Sequence, residues 1–404
     1  MWILKISRML LISVALLQGF ETARAERKYT IGTQIDLVTG TTSRSTESGL
    51  DLTQPLQDRT FFYALYPSLA ITSAGDHSLF QASYAFGLNR TNTGLNLDNG
   101  SHVTSATYQA SLNRRWRVSL AESFEMTSDF TTLNVLRGNI SSPEEFRFLF
   151  YPVAIRRSSQ ANNASGRVEC LLSDKSSLSF GVSHALRNYP DDPLVRGFLS
   201  DQQRIGGSIT YMRRRSERSS WTLSYTGAYY NFREFEGSQT HAVSAGYSHN
   251  LNPTLTLYVA AGPSFVQNSG NSYATYDASV RLLKLLKPNL VSLYYSYASG
   301  EGTGLGSISD TQHAGFGFSR PVRKKISLSL DLSGFQSHGR LGNAYGTRGA
   351  SGAATVGVAL NKTMSLNVGG QYQRYDQAAI FGFQDRRVFV SLRFLTPELW
   401  RFAR

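Results

Sequence analysis

Seven histidines, His77, His102, His184, His241, His249, His313 and His338, are the residues best suited by type to hold a metal ion or relay a proton. Metal sites gather such ligands at short, regular spacings, and these seven are scattered along the 404 residues without one. No Gly-x-Ser-x-Gly segment is present to carry a serine nucleophile on a sharp strand-to-helix turn. Gly300-Glu301-Gly302-Thr303-Gly304-Leu305-Gly306 has the glycine density of a phosphate loop but lacks the following lysine and helix, so it reads as a flexible connection. The single Cys170 excludes an internal disulfide and falls on the apolar face of its segment, where it fits as a small hydrophobe. Neither catalysis, a metal site nor a resident cofactor is expected.

Charge offers a second chemistry. The chain carries a formal net charge of +13. Arg117, Arg167, Arg204, Arg281 and Arg393 fall on the parity opposite to the apolar residues of their segments, against Glu125, Glu169, Asp277 and Asp331. Rings of charge lining a wet passage set ion preference, so an arginine excess there implies attraction of anions or acidic sugars. Salt-bridge ladders that fill the wall are the equal alternative. A second basic group, Arg213-Arg214-Arg215 with Arg218, Lys284 with Lys287, and Arg323-Lys324-Lys325, lies at turns. It reads as solvated charge that blocks edge association, with docking of a partner protein as the alternative. The charges are dispersed, with no basic helix or stacking platform, so nucleic-acid binding is not expected.

The elements that carry these residues are strands. From Thr254 to Phe265, Leu255, Leu257, Val259, Ala261, Pro263 and Phe265 share one face, and Thr256, Tyr258, Ala260, Gly262 and Ser264 the other. Val291, Leu293, Tyr295 and Tyr297 repeat the pattern, as do Ile326, Leu328, Leu330 and Leu332. Side chains on a strand alternate with period two, so a strand with lipid on one side and water on the other must be written this way. Nothing after the N-terminus approaches the roughly 20 apolar residues of a membrane helix, so any span is made of strands. Thirty-five glycines and 12% aromatics suit crowded inner walls and aromatic girdles.

The N-terminus sets the compartment. Lys5 and Arg8 precede an apolar run from Met9 to Leu17, and Ala23-Arg24-Ala25 ends it with small residues at the positions a signal peptidase reads. Residues 1–25 are expected to be a cleaved signal peptide and 26–404 the mature barrel. Candidate strands lie near 28–38, 60–73, 77–89, 101–113, 116–127, 160–172, 177–187, 201–212, 220–230, 240–249, 254–266, 272–283, 289–299, 309–319, 326–336, 349–360, 363–375 and 385–395. Ala74-Gly75-Asp76, Asn113-Arg114-Arg115, Ser173 to Ser176, Asn250 to Pro253 and Asn361-Lys362 are short connections and read as periplasmic turns. Links 39–59, 90–100, 128–159, 188–200, 231–239, 300–308, 337–348 and 376–384 are polar and read as extracellular loops. The fold class is therefore all-β: a single transmembrane antiparallel up-and-down β-barrel of about 18 strands, about 16 being the alternative.

At the level of pattern the chain resembles the porin-like barrels of Gram-negative outer membranes. In general porins the long third extracellular loop folds into the lumen and often has a Pro-Glu-Phe core; here the third link holds Ser142-Pro143-Glu144-Glu145-Phe146, followed by Arg156 and Arg157. The resemblance makes these residues candidates for a constriction, a surface loop being the alternative. Family barrels usually end on an aromatic; Val390-Ser391-Leu392-Arg393-Phe394 looks like such an ending, yet Leu395 to Arg404 follows, so this tail is expected to tuck into the periplasmic mouth or the barrel to close differently. The resemblance implies an outer-membrane channel for small polar or anionic solutes. An exopolysaccharide-export barrel and a plugged structural barrel remain alternatives. Inward Tyr258 and Tyr294 are candidates for stacking on a sugar or for filling space. Implied partners are outer-membrane lipid and lipopolysaccharide, the barrel-assembly machinery, a small polar solute or polysaccharide, and a homotrimer or periplasmic partner.

Overall fold

A strand in hydrocarbon has no water for its N–H and C=O groups, so its sheet must close on itself. A computed structural model of the protein describes residues 28–48, 58–91, 99–127, 159–189, 201–233, 235–268, 270–286, 289–301, 308–339, 346–377 and 381–403. The strands are β1 (Lys28–Ser48), β2 (Asp58–Ala74), β3 (Ser78–Thr91), β4 (Asn99–Ser111), β5 (Trp116–Thr127), β6 (Ser159–Ser173), β7 (Ser176–Asn188), β8 (Gln202–Ser216) and β9 (Ser219–Phe232). They continue as β10 (Phe235–Asn252), β11 (Leu255–Asn268), β12 (Asn271–Leu286), β13 (Asn289–Glu301), β14 (Ile308–Arg323), β15 (Ile326–Gly339), β16 (Thr347–Ala359), β17 (Met364–Gln377) and β18 (Phe381–Ala403). Each strand pairs antiparallel with its sequence neighbours, and β1 pairs with β18, closing an 18-stranded up-and-down barrel. The expected signal segment 1–25 lies outside the described residues.

The outer face is apolar. Ile35 and Leu37 on β1, Val182 on β7, Ile205 and Ile209 on β8, Leu223 on β9, Leu293 on β13 and Val388 on β18 are all exposed. An apolar surface continuous around a whole barrel is lipid-facing, and a closed barrel with such a belt belongs in an outer membrane. Aromatics edge it at both ends: Tyr63, Phe265 and Tyr276 at one, and Trp116, Trp221 and Tyr247 at the other, the Trp221 and Tyr247 ring centroids 4.7 Å apart. Two histidines sit in the first girdle with tyrosine partners, His102 with Tyr84 and His241 with Tyr225, each with Nδ1 and hydroxyl 2.8 Å apart.

Side-chain caps explain the short turns. Asn113 Oδ1 accepts from the backbone N–H of Arg115 and Trp116 at 2.8 and 3.0 Å, and Asn361 Oδ1 from those of Thr363 and Met364, both at 2.8 Å. Asn252 Oδ1 accepts from Thr254 N–H at 2.9 Å. These are local asparagine turns, and they sit where the short connections were expected.

The strands run further than the alternation implies at the other end. The expected loop 231–239 is instead the tip of the β9–β10 hairpin, where pairing continues to Phe232 opposite Phe235. The expected loop 39–59 is strand on both flanks, since β1 reaches Ser48 and β2 starts at Asp58. Outside the membrane a strand needs no apolar face, so the pattern vanishes while backbone pairing persists. The tail is a second difference. Leu395 to Ala403 neither tucks in nor leaves the sheet but continues β18, with Gln34 opposite Leu395, Ile31 opposite Trp400 and Lys28 opposite Ala403, around a bulge between Ile31 and Thr33.

The closing seam is charged on its inner side. Thr42 Oγ1 donates to Asp385 Oδ1 at 2.6 Å, Arg387 Nε donates to Asp385 Oδ2 at 3.0 Å, and Arg393 Nε donates to Asp36 Oδ1 at 2.7 Å. The Asp385 side chain is 2% exposed and that of Arg387 10%. Removing one partner of a buried pair leaves an uncompensated charge, which typically costs about 3–5 kcal/mol. Asp385→Ala is therefore expected to lower the urea midpoint for loss of the folded, fast-migrating gel band, and replacing both partners by apolar residues, Asp385→Leu with Arg387→Met, to recover most of the loss.

Candidate functional site

Residues directly opposite in register share a face, so the pairing places every inner side chain. Arg117 faces Glu169, and Ser119 faces Arg167. Arg167 lies opposite Gly181 and its Nη2 donates to Ser179 Oγ at 2.9 Å. Arg187 faces Gln202, Ala185 faces Arg204, and Arg204 in turn faces Tyr230. All of these lie on the face opposite Phe180, Val182, Ile205 and Ile209, hence on the lumen. Arg281 lies between Tyr258 and Tyr294, Glu125 between Val103 and Ala161, Asp277 opposite Gly262, and Asp331 between Gly317 and Ala353. Each therefore occupies the inner wall, as does Arg393.

The expected charges are not brought together in one ring. Arg393 is engaged by Asp36 on the seam. Arg117 and Arg167 share a wall with Glu169, joined further along by Arg187 and Arg204, while Asp277 and Asp331 stand on β12 and β15. The parity rule that singles out Arg393 also reaches Arg387 and Asp385, and the same count reaches Asp36 and Arg187; these inner charges were passed over. The basic turn residues Arg213, Arg214, Arg215 and Arg218 are exposed at the β8–β9 rim, and Arg323, Lys324 and Lys325 at the β14–β15 rim. The candidates Pro143, Glu144, Glu145, Phe146, Arg156 and Arg157 lie outside the described residues.

A narrowing comes from another element. Pairing of β12 with β13 stops at Ala278 opposite Tyr297, whereas β13 and β14 stay paired up to Glu301 opposite Ile308. The described ends of these two strands, 299–301 on β13 and 308–310 on β14, leave the wall and lie against the inner face of β9, β11 and β12. Residues with lipid-facing parity are thereby turned onto lumen-facing ones. Ile308, 1% exposed, clusters with Tyr230, Phe232 and Val266. Asp310, buried, accepts from Tyr273 at 3.3 Å, from Tyr297 at 3.1 Å and from Ser299 Oγ, and the Ser299 N–H donates to Asp277 Oδ1 at 3.4 Å.

Beneath this shelf lies a polar pocket wall. Gln202 is 4% exposed, and neither its amide nitrogen nor its oxygen has a hydrogen-bond partner among the described residues; nor has Arg204 Nε. The Arg204 guanidinium carbon sits 5.8 Å from the centroid of the Tyr230 ring, which orients the group over an aromatic face. Buried polar groups are normally satisfied by protein or by ordered water, so these atoms mark a polar spot within the inner wall.

Elsewhere the wall is kept flat. A Cβ on Gly315 would stand 2.2 Å from Tyr294 Cζ, and one on Gly349 2.2 Å from Phe335 Cε1. Each ring lies over the bare backbone of the next strand instead of projecting into the lumen, so Tyr294 fills the wall.

No protein-family model matches the chain, and no curated protein matches it in sequence. Among solved structures it is similar to OpdQ of Pseudomonas aeruginosa, at 10% identity and TM-score 0.46, over 92% of this chain and 98% of that one. It is also similar to the outer-membrane protein OpdK of the same organism, at 10% identity and TM-score 0.45, over 90% and 98%. OccAB4 of Acinetobacter baumannii is similar at 9% identity and TM-score 0.43, over 92% and 98%.

The tucked hairpin has a direct test. Hydrogen bonds to a charged group are worth about 1.5–3 kcal/mol each. Asp310→Ala is expected to speed amide exchange across residues 297–301 and 308–310 by roughly 10- to 100-fold, read by hydrogen–deuterium exchange mass spectrometry, while leaving β5–β7 unchanged.

Proposed function

We propose that this protein is an outer-membrane diffusion channel for small polar solutes, with a preference for anions. The observation that carries the reading is Arg204, a half-buried arginine of the inner wall beside the tucked β13–β14 strands, its guanidinium set over the Tyr230 ring. Barrels of about 16–18 strands are wide enough for an aqueous passage, so width is available and selectivity must come from the lining. A guanidinium braced on a ring face presents its remaining N–H groups to a carboxylate, phosphate or sulfate.

The narrowing favours small solutes over an exported polysaccharide, because a polymer would have to slide past a shelf held by Asp310 and Ile308. The arginines of the inner wall support attraction of anions more than wall filling, since Arg204 Nε is left without a partner whereas Arg393 and Arg387 are engaged. Arg204 attracts and orients a passing solute; no bond is made or broken, so the inner wall needs no nucleophile or base.

The test is reversal potential in a planar bilayer across a salt gradient. The refolded protein is expected to show stable open steps with anions favoured, and Arg204→Ala to reduce the anion-to-cation permeability ratio by roughly twofold or more. Arg204→Glu is expected to move the preference towards cations. A silent, well-folded barrel would overturn the channel reading, and an unchanged ratio in both variants would remove Arg204 from it.

A further inference from the structure

The lipid-facing surface is not uniform. On the outer side of β18, β1, β2, β3 and β4, at the end away from the short turns, lies a groove of about 710 Å³. Its floor and sides include Leu37, Leu65, Leu88 and Val390, and Tyr63 and Arg90 stand among its lining residues. Register explains its shape. Leu37, Leu65 and Leu88 form one row across β1–β3, continued by Gly100 on β4, and Thr39, Tyr63 and Arg90 form the row above. Gly100 contributes no side chain, so the wall steps inward there; a Cβ at that position would be 3.5 Å from Phe86 and 3.9 Å from His102, in ordinary contact.

We propose that this groove is a binding site for one phosphate-bearing lipid of the outer leaflet, a lipid A, with an acyl chain along the leucines and a phosphate on Arg90. Two features select this occupant. The groove opens onto the bilayer, so whatever fills it has a long apolar part. Its charge is positive and lies at the headgroup end, where an arginine pairs with a phosphate through two parallel N–H groups. The same rim carries the exposed Arg386 on β18, while Arg348 and Arg374 nearby are paired with Asp376 at 3.3 and 3.1 Å. A zwitterionic lipid brings its own cation with its phosphate and so leaves the charge of Arg90 and Arg386 uncompensated. The site lies on the outer wall and is independent of what the lumen passes.

The experiment is native mass spectrometry of the full folded chain in mild detergent, offered lipid A and phosphatidylcholine in equal amounts. Lipid A is expected to be retained one per barrel, with preference over phosphatidylcholine of roughly tenfold. Arg90→Gln is expected to reduce retention to the phosphatidylcholine level, and Gly100→Val, which projects methyls into the groove, to reduce it while the charge remains. Arg320→Gln, an exposed arginine on β14 near the opposite rim, is expected to leave it unchanged. Equal retention of both lipids, or unchanged retention in both groove variants, would overturn the proposal. So would displacement of the lipid by inorganic phosphate alone, or groove variants that change the oligomeric state instead of lipid retention. Conductance through the lumen is expected to be the same in Arg90→Gln as in the unsubstituted protein, which separates failure of this site from failure of the channel reading.

Discussion

Everything in this molecule depends on backbone polar groups having no water to turn to inside a bilayer. An open sheet would leave two edges unpaired, each group costing several kcal/mol, so the first and last strands must meet. That demand makes the β1–β18 seam the most consequential pairing, and it is the longest, running from Lys28 opposite Ala403 to Ser48 opposite Phe381. Its two strands come from opposite ends of the described chain, so the seam closes the longest loop of any pairing in the barrel. The buried Thr42, Asp385 and Arg387 group helps fix its register together with the apolar alternation, because a one-residue slip would put Asp385 on the lipid face.

Much of this was written in the alternation. Leu255 to Phe265 assigns its own faces, and the parity that puts Val182 and Ile205 in lipid puts Arg167 and Arg204 in the lumen. Turn chemistry is equally local: Asn113, Asn252 and Asn361 announce the short connections because a side-chain oxygen reaching two or three residues on is a property of the asparagine itself. Strand ends beyond the membrane were not legible. Phe235 to His241 has no apolar face to keep, and its pairing with β9 is enforced only by the neighbouring hairpin.

The tucked hairpin was illegible for a deeper reason. Ile308 and Asp310 have lipid-facing parity, and a reading by period two must leave them in the membrane girdle. What turns them inward is the early end of β12–β13 pairing, and that end is set by contacts distant in sequence: Ile308 on Tyr230, Phe232 and Val266, and Asp310 on Tyr273. Period fixes which side of a strand a residue occupies, but not whether the strand stays in the wall.

The lining obeys a tension between size and emptiness. A barrel this wide has more inner surface than its side chains can fill, yet aromatic rings that reached towards the axis would obstruct it. The wall resolves this by laying Tyr294 and Phe335 over Gly315 and Gly349, so bulk is spent along the circumference and glycine is required on the strand beside each ring. Among the described residues the narrowing lies on one arc, where Ile308 and Asp310 of β14 rest on β9, β11 and β12. There the rings of Tyr230 and Phe232 serve a second purpose: they support Ile308 from below, and the Tyr230 ring carries the Arg204 guanidinium. The same aromatic cluster therefore sets both how narrow the passage is and which charge it presents at its narrow part. A change there would move size selectivity and ion selectivity together, whereas a change at Tyr294 or Phe335 would move size alone.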